Sequence, residues 1–150
     1  MSFPYRFLED LPDPSGAPPP APAAVALGVF DGVHRGHQEL LAAMLREATS
    51  PDASQALLPA VLTFHPHPTA LFAPDRVPPL LCTLEERAEL LRAYGAGLVV
   101  VARFDAVFAG QSPEEFVRHV LTERLRARAV VVGEDFRYGR GRAGDAASLA

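Results

Sequence analysis

Two histidines three residues apart, His34 and His37, stand in the run Gly28-Val29-Phe30-Asp31-Gly32-Val33-His34-Arg35-Gly36-His37, among three glycines. Gly28 and Gly32 permit turn conformations closed to other residues and allow a ligand to approach the backbone. Gly36 and His37 are expected at the start of a helix, where free N–H groups and the helix dipole favour an anion. At a spacing of three, both imidazoles face one side of the first turn and are expected to be exposed. As cations or hydrogen-bond donors they can offset charge that builds on an α-phosphate and a departing pyrophosphate. The arrangement suggests chemistry on a nucleoside triphosphate; the plainer reading is a tight turn with two surface histidines.

The elements around this run must position it. Ala23–Val29 is a short apolar run that ends in the glycine turn and reads as a strand. A helix follows over His37–Ala48 through Leu40, Leu41, Met44 and Leu45. Ala60–Phe64, Leu98–Ala102 and Ala129–Val132 read as further strands. Thr83-Leu84-Glu85-Glu86 and Ser112-Pro113-Glu114-Glu115 are capping boxes, opening helices to about Tyr94 and about Leu125. Gly139–Gly144 reads as a loop, and Asp145 is placed to cap a helix. Residues 1–22 form an N-terminal segment: a short edge element over 1–11, then a connector over 12–22 that holds six of the fifteen prolines. Uniformly apolar strands alternating with helices predict an open, doubly wound α/β domain over 23–150 with a parallel sheet of about four strands. Its ligand belongs beyond the C-terminal strand ends, at a topological switch point.

Composition narrows the partners. A net charge of −4 argues against a dedicated nucleic-acid or polybasic membrane binder. All fourteen basic residues are arginine, which excludes a phosphate-loop lysine or a Schiff base. The single cysteine, Cys82, permits no intrachain disulfide and reads as a small semi-buried hydrophobe. With a single cysteine a reducing, cytoplasmic setting is expected; no stretch is apolar for long enough to span a bilayer, and no signal peptide is evident. His65 and His67 lie two apart without a supporting Cys or carboxylate, so no metal site is expected. Arg137, Arg140 and Arg142 form a basic loop, either for phosphate or simply solvated.

The run G-x-F-D-G-x-H-x-G-H resembles the nucleotide-binding signature of bacterial FAD synthetases, the FMN adenylyltransferase module of bifunctional riboflavin kinase/FAD synthetases. Thr63-Phe64-His65-Pro66-His67-Pro68, Leu84-Glu85-Glu86-Arg87, Ser112-Pro113-Glu114-Glu115-Phe116, Val131-Val132-Gly133-Glu134-Asp135-Phe136-Arg137-Tyr138-Gly139 and Gly144-Asp145 are similar to later family segments, in order. The resemblance implies a Rossmann-like fold of the nucleotidyltransferase type and a transferase that moves AMP from ATP to FMN, giving FAD and pyrophosphate, with Mg2+ arriving on the nucleotide. It implies that His34 and His37 are catalytic and contact ATP phosphates, while Gly28, Phe30, Asp31 and Gly36 shape the ATP site. Asp31 has the alternative of acting through hydrogen bonds in the turn. Pro66, Pro68 and Phe72 would line the isoalloxazine slot, its wall stiffened by prolines that hold the chain extended. Asp135 and Tyr138 would lie near the flavin, although Phe72 and Tyr138 can equally be core aromatics. The family continues into an I-S-S-T-x-I-R segment and a riboflavin kinase module that this chain does not carry. The module is therefore expected to be incomplete at its C-terminus and weak in activity as a 150-residue chain. A non-catalytic flavin or nucleotide binder, and a nucleotidyltransferase with another acceptor, are the alternatives.

Overall fold

A computed structural model describes residues 4–11, 21–50 and 56–149. Most of the proline-rich connector therefore lies outside the described residues. The main sheet has five strands, all parallel, in the order β1-β4-β3-β2-β5: β1 Arg6–Phe7, β2 Ala23–Leu27, β3 Leu58–His65, β4 Leu98–Arg103 and β5 Ala127–Val131. About four strands were expected; the fifth is Arg6–Phe7, which pairs along Val100–Val101 at one edge. The chain runs from β2 to β3 to β4 in one direction and returns to the other side of β2 for β5. Strand order thus reverses between β2 and β5, and the crevice beyond their carboxyl ends is the switch point.

Side-chain alternation on the strands builds two cores. Ala23, Val25 and Leu27 face one side with Leu62, Phe64 and Val100, under Phe116, Val120, Leu121 and Leu125. Ala24 and Ala26 face the other, under Leu41, Met44 and Ala48 of α1 (Arg35–Ala48) and Ala88 and Leu91 of α3 (Leu84–Ala93). Between α1 and α3 lies α2 (Thr69–Phe72). After β4 come α4 (Ala106–Ala109) and α5 (Pro113–Glu115).

Several boundaries depart from expectation. Helix α1 begins two residues early, at Arg35, because His34 itself is the N-cap. Thr83 forms a complete capping box with Glu86 on α3. At Ser112, the hydroxyl accepts the Glu115 N–H at 3.1 Å. The helix it opens does not stay α-helical: Phe116–Arg124 is a π-helical segment, closed by Leu125 N–H to the Val120 carbonyl at 3.1 Å. Its buried residues, Phe116, Val120 and Leu121, and the buried Leu125 that caps it, are spaced so that each turn's successor lies four or five residues on, which suits the wider turn. The expected loop after Gly139 contains a 3-10 turn (Arg140–Arg142). It is bracketed by an antiparallel ribbon of β6 (Arg137–Tyr138) and β7 (Gly144–Asp145). A Cβ on Gly144 would stand 2.4 Å from Tyr138 Cζ, so only glycine lets the ring lie across that strand. Asp145 does cap the final turn, its carboxylate accepting the Ser148 N–H at 2.9 Å.

Candidate active site

The turn between β2 and α1 is strained. Phe30 and Val33 have φ of 57° and 46°, flanking Gly32 at 77°. A left-handed backbone costs a β-branched or bulky residue about 1–3 kcal/mol, and it persists only where surroundings impose it. Here they do: Phe30 is 0% and Val33 3% exposed, both locked into the core beneath α1. The positive φ expected of Gly28 is carried instead by these two residues. A Cβ on Gly28 would meet the Phe30 ring at 3.1 Å.

Asp31 does not close its own turn. Its carboxylate accepts the Leu81 N–H at 2.9 Å and the Cys82 N–H at 3.3 Å, fifty residues on. Cys82 Sγ in turn accepts the Gly32 N–H at 3.3 Å. Burial alone would raise the Asp31 carboxyl, but the Leu81 and Cys82 donors, with Arg87, together hold it below the ordinary value. Cys82 is accordingly a polar strut rather than only a packed hydrophobe.

His34 and His37 come together as stacked rings, their centroids 3.5 Å apart at 18°. His34 Nδ1 accepts the His37 N–H at 3.4 Å. The N–H groups of Arg35 and Gly36 have no partner among the described residues and open the helix to an anion. A Cβ on Gly36 would press on the His34 ring at 3.2 Å. His34 is exposed as expected, but His37 is half-buried, edge-on to Phe30 at 5.0 Å. Its Nδ1 is buried without a partner. Burial first, and the neighbouring His34 second, push the His37 ring down to about 4, against a smaller upward pull from Asp31. Near neutral pH His37 is therefore a neutral hydrogen-bonding group, not a cation.

Beyond the same strand ends lies a cleft of about 450 Å³. Aromatic rings form much of its wall. Phe104 packs at 5.7 Å from both Phe72 and Phe108, and Phe116 lies 5.0 Å from Tyr138. Pro68, Phe72, Asp135 and Tyr138 line it, and Gly28 joins it to the histidine turn. Pro66 does not: it is exposed and off the wall, where His67 stands instead. The chain there is not held extended, since Pro68 is already helical and caps α2. Phe72, 61% exposed, is no core aromatic, whereas Tyr138 is buried with its hydroxyl 2.8 Å from Ser148 Oγ. Arg137 and Arg142 reach the cleft, while Arg140 is turned to the Gly110 carbonyl. His34 and His37 lie outside the lining, and Gly28–Val29, which leads into their turn, is part of it.

Phe104 and Phe108 were not expected on the wall. The signal available was position alone: Phe104 follows directly on β4. Among the described residues no group of three His, Cys, Asp or Glu is placed to hold a metal ion, and no helix is long and apolar enough to cross a membrane.

A family model described as FAD synthetase matches residues 17–150. Over 121 residues the chain is 39% identical to the bifunctional riboflavin kinase/FMN adenylyltransferase of Escherichia coli K12, covering 81% of this chain and 37% of that one. It is 36% identical to the Bacillus subtilis protein of the same description, covering 80% and 37%. The chain thus spans little more than a third of the length of these relatives. A crystal structure described as a macrolide-efflux protein from Streptococcus pneumoniae superposes with a TM-score of 0.73 at 25% identity, over 91% of this chain and 44% of that one.

Proposed function

The chain belongs to the FAD synthetase family, and from that membership we propose that it is an FMN adenylyltransferase module: it transfers AMP from ATP to FMN, yielding FAD and pyrophosphate. The fold is then the Rossmann-like nucleotidyltransferase type. The observation that carries the reading is adjacency. Gly28–Val29 belongs at once to the aromatic cleft and to the turn that delivers His34 and His37 to a helix N-terminus. Such a junction lets a flat ring in the cleft and a polyphosphate at the helix start lie side by side.

In this reading Pro68, Phe72, Phe104 and Phe108 hold the isoalloxazine ring, with Asp135 at its edge. The FMN phosphate oxygen attacks the α-phosphorus of ATP, and the α–β bridging P–O bond breaks with its electron pair leaving on pyrophosphate. The chain performs little covalent work. It aligns two anions that repel each other and stabilises the charge passing to the leaving group. His37, neutral when ligand-free, donates a hydrogen bond, and an arriving phosphate favours its protonation. Gly36 leaves room for the His34 ring, and Asp31 holds the turn through the 81–82 segment. Magnesium enters with the nucleotide.

The test is to incubate the purified chain with FMN, MgATP and pyrophosphatase and to separate the flavins. FAD formation, abolished by changing both His34 and His37 to alanine with the fold intact, supports the reading. A folded wild-type chain that binds neither ATP nor FMN refutes it.

A further inference from the structure

The largest side chain fully withdrawn from solvent is a cation, Arg87, 1% exposed among Leu84, Ala88 and Leu91 of α3. Its Nη1 donates to Thr63 Oγ1 and to the Phe64 carbonyl, each at 3.1 Å. Thr63 Oγ1 donates onward to the Val29 carbonyl at 2.7 Å. Phe64 and Val29 both line the cleft, so the guanidinium sits directly behind the wall where cleft and histidine turn meet. Its Nε is buried without a partner among the described residues. No carboxylate forms an ion pair with it; the ion pairs among the described residues are Arg103–Glu9 and His119–Glu123.

A guanidinium cannot shed its proton, and a buried charge whose nearest carboxylate influence, Asp31, acts from beyond ion-pair distance is costly. The other buried side-chain nitrogens without partners, His37 Nδ1 and His65 Nδ1, also lie at the carboxyl end of the sheet. The charge is felt there: after burial, Arg87 is the next influence holding the His65 ring below its ordinary value.

We propose that Arg87 is a positioning residue for anion binding, its buried charge beneath the β2 and β3 ends being balanced by the phosphate groups of a bound nucleotide. The inference rests on the phosphate reading of the histidine turn. Calorimetric titration of sodium tripolyphosphate into the full chain tests it, using wild type, Arg87→Lys, Arg87→Gln and Arg87→Met, with circular dichroism to check folding. The neutral variants should bind about tenfold more weakly, equivalent to about 1.4 kcal/mol. Arg87→Lys should return to within about threefold of wild type, because charge rather than fork geometry is required. Arg87→Gln retains a donor for Thr63 and Phe64, and so separates charge from the hydrogen bonds. A folded neutral variant with wild-type affinity overturns the proposal, as does Arg87→Lys binding as weakly as Arg87→Met. If both neutral variants unfold while Arg87→Lys folds, the charge serves stability and the proposal fails. A wild-type chain that does not bind tripolyphosphate removes the phosphate reading and this inference together.

Discussion

Protonating His37 should destabilise the fold by a measurable amount. The ring titrates at its ordinary 6.5 in an unfolded chain and at about 4 in the fold, chiefly through burial and then through the stacked His34. Between those values the unfolded state binds more protons than the native one, so stability falls as pH falls from 6.5 towards 4. Converted directly, the difference caps the loss at about 3 kcal/mol. The ring is only half-buried, and screening by solvent reduces the expectation to about 1–2 kcal/mol. Urea unfolding of wild type and His37→Gln at about pH 7.5 and about pH 4.5 isolates the contribution of protonating His37 beside His34, because the titrating groups away from that pair are shared. Wild type should lose about 1–2 kcal/mol more than the variant over that interval. Equal losses in the two chains would refute the reasoning. In an NMR titration the His37 midpoint should lie near 4 and rise when tripolyphosphate is added.

Asp31→Ala removes the acceptor for the Leu81 and Cys82 N–H groups and should cost about 1–3 kcal/mol by equilibrium denaturation. Because the native carboxyl is held low, the wild-type advantage should be present above the unfolded value and disappear as acid protonates it. Phe72→Ala removes an exposed ring, so stability should change by less than about 0.5 kcal/mol. FMN affinity, followed by flavin fluorescence, should nonetheless fall about fivefold to tenfold. Gly144→Ala puts a methyl group into the Tyr138 ring and should cost about 1–3 kcal/mol in a thermal melt, loosening the cleft wall as well.

The sheet was legible because its strands carry a local signal. Val99, Val100 and Val101 are apolar on both faces, and every one of them is buried on a parallel strand. Helix caps were legible at Thr83 and Ser112 for the same reason: cap and partner lie three residues apart. What sequence could not supply was long-range. Asp31 finds its donors at residues 81–82, and no spacing rule connects them. Arg87 stands twenty-four residues from Thr63, and only the fold brings the two together. Left-handed φ at Phe30 and Val33 is imposed by core packing against local preference, so it appears only in the folded chain. Pro66 looked equivalent to Pro68, yet the chain bends between them and only one reaches the wall.

The two alanines of β2 that face α1 set a dimension. The distance between a helix and the layer beneath it depends on the side chains at the contact, and at Ala24 and Ala26 these are single methyl groups. Helix α1 can therefore settle low on the sheet, and its first turn descends with it. The histidine rings hang over the strand ends at a height fixed by carbon atoms that β2 lacks. Each methylene added there would raise the helix like a shim and widen the gap between the stacked rings and the aromatic wall. The reach from one half of the site to the other is thus a packing length, set in the core before any ligand arrives.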